Sequence, residues 1–168
     1  MSVRPILFAG ILLLAGSSPS AQSRDPFAVD FSANYDLIYH ETGATSNVGA
    51  HFDIASTITR DVPYLVLVGE IGANHFDAGT VSSFLGGVRL RFPNAGQSVL
   101  PFAQLLLGLY HCGVCPINDF ALQGGAGLDF KTGRSVRIRT QLDVRHVFDT
   151  SSFNSVRVSA GVVLPLNR

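Results

Sequence analysis

From residue 27 onward, apolar and polar side chains alternate one by one, and no other feature of the chain narrows its folding options as far. Phe27, Val29, Phe31, Ala33, Tyr35, Leu37 and Tyr39 form one series; Asp30, Ser32, Asn34, Asp36 and His40 interleave with it, and Ala28 and Ile38 break the rule. A helix repeats every 3.6 residues and cannot sort side chains in this way, whereas an extended strand sends successive side chains to opposite faces. The pattern returns in Val48, Ala50, Phe52 and Ile54 against Asn47, Gly49, His51 and Asp53, and in Phe84, Gly86, Val88, Leu90 and Phe92 against Ser83, Gly87, Arg89 and Arg91. It returns again in Val136, Ile138, Thr140, Leu142 and Val144 against Arg137, Arg139, Gln141, Asp143 and Arg145, and in Val156, Val158, Ala160, Val162 and Leu164 against Ser155, Arg157, Ser159 and Gly161. Tyr64 to Asn74, Leu100 to His111 and Phe120 to Lys131 alternate less strictly, yet still set Glu70, Gln104, Gln123 and Asp129 among apolar neighbours. The pattern predicts eight strands of about ten residues each, the length a tilted strand needs to cross hydrocarbon.

Turn-forming residues separate the strands. Arg60-Asp61-Val62-Pro63, Pro93 to Ser98 and Lys131-Thr132-Gly133-Arg134-Ser135 follow strands two, four and six; Glu41 to Ser46, Phe76 to Thr80, Cys112 to Asp119 and Asp149 to Ser152 follow the odd-numbered ones. An even number of antiparallel strands joined by short connections is the pattern of an all-β, eight-stranded antiparallel up-and-down β-barrel with both termini at one end.

The segment before the strands has a different character. A short positive start ending at Arg4 leads into an apolar run from Ile6 to Ala15 and then small residues from Ser17 to Ser23, the three parts of a secretory signal peptide. The apolar run is too short for a spanning helix, which needs about 20 residues. Cleavage after Ser23, with Ala21 three residues before the cut, or after Ser20, satisfies the small-residue rule. Residues 1–23 are therefore expected to be a signal peptide and residues 24–168 the barrel domain. No later stretch approaches 18 consecutive apolar residues, so a helical anchor is not expected. A formal net charge of zero argues against nucleic acid as a partner.

Alternation alone does not say which face is inside. In a soluble barrel of the lipocalin kind the apolar face lines a ligand cavity; in a membrane barrel it faces lipid. The polar face collects Asp30, Asn34, Asp36, His51, Asp53, Glu70, Arg89, Arg91, Gln104, Gln123, Asp129, Arg137, Arg139, Gln141, Asp143, Arg145 and Arg157. Both signs are present and arginine supplies the cations, while the chain's one lysine, Lys131, lies at a turn. A solvated face draws more on lysine and glutamate, whereas the planar guanidinium suits enclosed, multiply hydrogen-bonded carboxylates. Only 14% of residues are charged, against roughly 25% in an ordinary globular protein. A transmembrane barrel with an ionic network filling its lumen is the expected arrangement, and a soluble secreted barrel binding an apolar ligand is the alternative.

The segment from Pro101-Phe102-Ala103 to Gly108-Leu109, the strand Phe120-Ala121-Leu122-Gln123-Gly124-Gly125-Ala126-Gly127-Leu128-Asp129-Phe130 and the basic alternating strand Val136 to Arg145 resemble the small eight-stranded outer-membrane β-barrel proteins of the OmpA/OmpX type. The resemblance implies insertion into bacterial outer-membrane lipid, termini in the periplasm, handling by periplasmic chaperones and the barrel assembly machinery, and no enzymatic activity. The ending Leu164-Pro165-Leu166-Asn167-Arg168 departs from the aromatic end common in that family.

His40, His75, His111 and His146 recur about one hairpin apart near the ends of strands one, three, five and seven, which places them on one rim. A ring of imidazoles beside Cys112 and Cys115 has the chemistry of a transition-metal site. His40 falls in the polar phase, however, and His111 and His146 in the apolar phase, so the side chains are expected to diverge and to join Tyr39, Phe76, Tyr110, Phe148 and Phe153 in an interfacial belt. Cys112 and Cys115 are candidates for a local disulfide in an exported chain, with free thiols or a redox pair as the other options. Ser82 or Ser83 with His75 and Glu70 or Asp77 would be the groups of a rim hydrolase acting on lipid, but no Gly-x-Ser-x-Gly motif supports it. The sequence therefore predicts a non-enzymatic outer-membrane barrel, without cofactor, serving envelope structure or limited small-solute permeability. It leaves the oligomeric state open.

Overall fold

A computed structural model describes residues 27–40, 43–58, 62–76, 79–92, 98–113, 118–132, 135–148 and 152–166. They form eight strands: β1 (Phe27–His40), β2 (Gly43–Thr57), β3 (Leu65–Phe76), β4 (Gly79–Arg91), β5 (Val99–Cys112), β6 (Asn118–Lys131), β7 (Arg137–Phe148) and β8 (Phe153–Pro165). Each pairs antiparallel with its neighbours in sequence. β1 also pairs with β8, from Ala28 opposite Pro165 to Tyr39 opposite Asn154, so the sheet closes and leaves no unpaired edge. Closure is what allows strands to cross a bilayer, because every backbone group finds a partner within the wall. The proposed signal peptide, Asp77 and Cys115 lie outside the described residues, as does the side chain of His40.

The strands are 12 to 15 residues long, not about ten. Pairing runs on into segments that read as turns: Ala44 and Thr45 pair with Tyr39 and Ile38, and Gly79 and Thr80 with Phe76 and His75. Once a hairpin is in register, each further pair satisfies backbone hydrogen bonds whatever the side chains are, so the ladder outlasts the apolar pattern. Only residues 41–42 separate β1 from β2, and 77–78 separate β3 from β4.

The burial pattern reverses that of a soluble protein. Along β7 buried and exposed residues alternate almost without interruption; Arg139, Gln141, Asp143 and Arg145 point inward, and Ile138, Leu142 and Val144 outward. Around the wall Phe31, Ile71, Phe84, Leu107 and Val158 are each more than half exposed, a continuous apolar band suited to lipid. Inside, space is tight. A Cβ on Gly125 would meet the Asp143 carboxylate, and one on Gly127 would lie 2.5 Å from Cζ of the Phe102 ring. Glycine at these positions lets large inward side chains from the next strands lie flat against the wall.

Two substitutions test this assignment of faces. Gly127→Ala forces Phe102 to move and is expected to destabilise the barrel by about 1–3 kcal/mol, read as a lower urea midpoint in lipid vesicles. Leu142→Arg puts a charge on the lipid face at the middle of β7 and is expected to cost roughly 2–4 kcal/mol in the same assay; an unchanged midpoint would mean that this face meets water.

Candidate functional site in the barrel lumen

Eight strands enclose an interior just wide enough for side chains. Two ionic clusters occupy it, each built from residues far apart in sequence that the closed wall brings face to face. In the cluster nearer the chain termini, Arg139 on β7 makes a fork with Asp129 on β6, Nε to Oδ1 at 2.7 Å and Nη2 to Oδ2 at 2.9 Å. Its third nitrogen, Nη1, reaches Asp30 on β1 at 2.7 Å. Arg89 on β4 donates to Asp53 on β2 at 2.7 Å and, through Nε, to Gln104 on β5 at 2.8 Å. Phe102 lies between the two guanidinium groups, its ring centre 4.7 Å from Arg89 Cζ and 4.5 Å from Arg139 Cζ. The aromatic faces thereby add to the stabilisation of both cations.

The second cluster centres on Glu70 of β3. Arg157 of β8 grips it across the lumen with two bonds of 2.7 Å and sends Nε to Asp143 of β7 at 2.9 Å. Arg145 donates to Gln123 and approaches Glu70 at 3.5 Å, with its Cζ 5.7 Å from the Tyr110 ring centre. Gln104 links the clusters, since its amide donates to Asp143 at 3.3 Å. Beyond Glu70 the filling becomes mainly neutral: Asn34 donates to Asn74 at 2.7 Å, and Asn74 donates to Asp36 at 3.3 Å. Apolar side chains are buried toward both ends, with Ala28, Ala55, Val66 and Val163 at the terminal end beside Arg91 and Arg137, and Ile38, Val81, Tyr110, Ala121 and Val147 at the other.

Sixteen of the seventeen polar residues picked from the alternation are buried in this interior: Asp30, Asn34, Asp36, His51, Asp53, Glu70, Arg89, Gln104, Gln123, Asp129, Arg137, Arg139, Gln141, Asp143, Arg145 and Arg157. Arg91, in phase with Arg89, is half-buried near the terminal mouth. Six arginines thus face six carboxylates, and with a neutral His51 the lumen is formally balanced. Asn74, Ser83, Phe102 and Tyr110 also point inward, although sequence reasoning did not single them out for the lumen. Their period-two spacing from Glu70, Arg89 and Gln104 was the available signal. The inward face is polar and filled, so the described residues hold no apolar ligand cavity of the lipocalin kind.

The rim histidines do not converge. His75 and His111 lie in outward phase, and each pairs with the residue directly across its hairpin, Thr80 and Asn118. His146 does the same with Asn154 across β8. Nδ1 of His111 lies 2.9 Å from Asn118 Oδ1, and Nδ1 of His146 lies 2.8 Å from Asn154 Oδ1. Each of these hydrogen bonds ties the ring to its own hairpin. His146 also packs edge-on to Phe148 at 4.4 Å, in keeping with an amphipathic belt. Parity removes Ser83 and Glu70 from the hydrolase set, since both point into the lumen while His75 is exposed on the outside and Glu70 is held by Arg157; Ser82 shares the outward phase of His75, and Asp77 lies outside the described residues. Cys112 ends β5 and packs against the core, and its candidate partner Cys115 lies outside the described residues.

No protein-family model and no curated protein matches the sequence. Among solved structures, Neisserial surface protein A superposes with a TM-score of 0.70 at 15% identity, over 84% of this chain and 97% of that one. The fold is that of the small outer-membrane β-barrels. De novo designed transmembrane β-barrels match at TM-score 0.60 and 13% identity, over 86% of this chain and 98% of theirs. The N-terminal barrel domain of Pseudomonas aeruginosa OprF matches at 0.54 and 14%, over 82% and 97%. The OmpA/OmpX-type resemblance and the eight-stranded transmembrane barrel expected from the alternation are both seen at the level of fold.

Removing one partner of the Glu70–Arg157 fork leaves a charge buried and unmatched. Glu70→Ala is expected to cost about 3–5 kcal/mol of unfolding free energy in detergent, and the double variant Glu70→Leu/Arg157→Met to recover most of that loss. With Arg157→Met also measured alone, a double-variant loss equal to the sum of the two single losses would show that the pair is not coupled.

Proposed function

We propose that this protein is a non-enzymatic bacterial outer-membrane barrel that serves envelope structure, with a lumen that passes small solutes poorly. The observation that carries the reading is the combination of an outward apolar band with a lumen packed by buried, largely ion-paired polar side chains. Such an interior has no free path for a hydrated solute and no exposed reactive group, which speaks against both a wide pore and an internal active site. In this reading the first 23 residues are the export signal, and the chain reaches its membrane through periplasmic chaperones and the barrel assembly machinery. The end bearing the chain termini then faces the periplasm.

That orientation turns the shortest connections outward. Two residues separate β1 from β2 and two separate β3 from β4 at the end away from the termini, where barrels of this class usually carry their longer loops. So little chain beyond the wall offers a small footprint for gripping a macromolecule, which favours a structural role over adhesion.

Membrane fractionation followed by gel migration with and without boiling tests the proposal. Recovery with the outer membrane and a heat-dependent mobility shift are the expected results; recovery as a soluble periplasmic protein would overturn it. In planar bilayers the purified protein is expected to give little current, and a steady large-pore conductance would show that the lumen filling is not a plug.

A further inference from the structure

His51 is the residue that the ionic network leaves unexplained. It is 2% exposed, lies in the lumen next to the terminal-side cluster, and among the described residues neither ring nitrogen has a hydrogen-bond partner. An imidazole buried in this way without partners is costly, and each such group calls for a water or an ion. Asp30 and Asp53 stand beside it. The register sets the three together: Asp30 on β1 is directly opposite Asp53 on β2, and His51 follows two residues before Asp53 on the same face. One ligating atom from each residue lies within 4.8 Å of the other two.

The two carboxylates are held from behind. Arg89 takes Asp53 Oδ2 at 2.7 Å and Arg139 takes Asp30 Oδ2 at 2.7 Å. Asp53 Oδ1 is buried with no partner, and Asp30 Oδ1 accepts only a hydrogen bond from Ser32, at 2.9 Å. Supporting hydrogen bonds that fix a carboxylate while leaving its other oxygen open are the usual outer shell of a metal ligand. Directly ion-paired here are three carboxylates, Asp30, Asp53 and Asp129, with two guanidiniums. Arg91 and Arg137 lie nearer the strand ends and bring this end of the lumen to four guanidiniums against three carboxylates, so it is the unpartnered imidazole and the open carboxylate oxygen that call for an ion, and not surplus negative charge. Gly72 lies directly opposite His51 on β3, where a Cβ would come within 2.7 Å of Ser83 Oγ.

From these observations we infer that Asp30, His51 and Asp53 form a binding site for one divalent transition-metal ion inside the barrel. One imidazole nitrogen and two carboxylate oxygens suit zinc, cobalt or manganese, with water completing the shell. Because all three ligands are buried inside the closed wall, the ion enters while β1 and β2 are still coming together, and it then joins the first hairpin from within. This inference goes beyond the envelope role and holds or fails independently of it.

The test is to refold the full-length barrel in detergent with one equivalent of Co2+, remove free metal, and measure bound cobalt by elemental analysis and by its visible ligand-field absorption. About one ion per chain is expected, bound slowly or not at all when Co2+ is added after folding. His51→Gln keeps the bulk of the side chain and should reduce cobalt retention at least tenfold, as should Asp53→Asn. The outward-facing variants His75→Ala and His111→Ala should retain it fully. The heat-dependent gel shift confirms that each variant has folded, and any that has not is replaced by His51→Asn or Asp30→Asn, which carry the same expectation. Absence of bound metal in the parent chain would overturn the inference and assign the space around His51 to water. Binding that survives His51→Gln and disappears with the rim variants would overturn it equally, placing the metal on the outside.

Discussion

Charge withdrawn from water inside a narrow barrel must be matched across the lumen, and the rest of this molecule follows from that requirement. A wall that turns its apolar side chains toward lipid leaves its other face to polar ones, and eight strands leave them no room to stay hydrated. Arginine meets the requirement because its planar fork can serve two or three acceptors at once. Arg157 bridges Glu70 and Asp143, and Arg139 bridges Asp129 and Asp30. Each of these cations joins strands that are not neighbours in the wall, so the network acts as internal cross-bracing where a soluble protein would use a hydrophobic core.

The bracing also limits what the molecule can do. Among the described residues the lumen is filled by ion-paired and hydrogen-bonded side chains, with Phe102 set between two guanidinium groups and small aliphatic residues and Tyr110 toward the ends, an interior that disfavours both a channel for a hydrated solute and a pocket for an apolar one. Function then falls to the outer wall and to the few polar groups the network leaves unsatisfied. His51 stands out among the latter because its neighbours are oriented by arginine yet still present open oxygens.

Much of this could be seen in the residues, and the places where it could not are instructive. Asp30, Asp36, Arg139 and Arg157 lie in strictly alternating strands, so one parity choice assigned them all to the same side. β5 gave no such purchase: Leu105, Leu106 and Leu107 are equally apolar, yet Leu106 is fully buried and its two neighbours are about half exposed. Apolar side chains fit either face there, and only the register with β4 and β6 decides between them. Phe102 escaped notice for the same reason, and Tyr110, expected in the interfacial belt, is instead buried in the lumen, since an aromatic ring reads as lipid-facing until guanidinium groups are found beside it. The histidines show strand phase outweighing spacing, as the divergence expected from their parity implies. Equal spacing along the chain suggested a shared site, but strand parity sends His75, His111 and His146 outward to partners on their own hairpins.

The sequence by itself determined the strand count, the antiparallel order and the division of residues into two faces, because a period of two is a local property of extended backbone. The tertiary structure decided which charges meet. Arg157 and Glu70 are 87 residues apart, and Arg139 and Asp30 are 109 apart. No local pattern encodes those pairings. They depend on where β1 closes against β8 and on how far each strand is staggered against the next, and those two quantities exist only once the wall is complete.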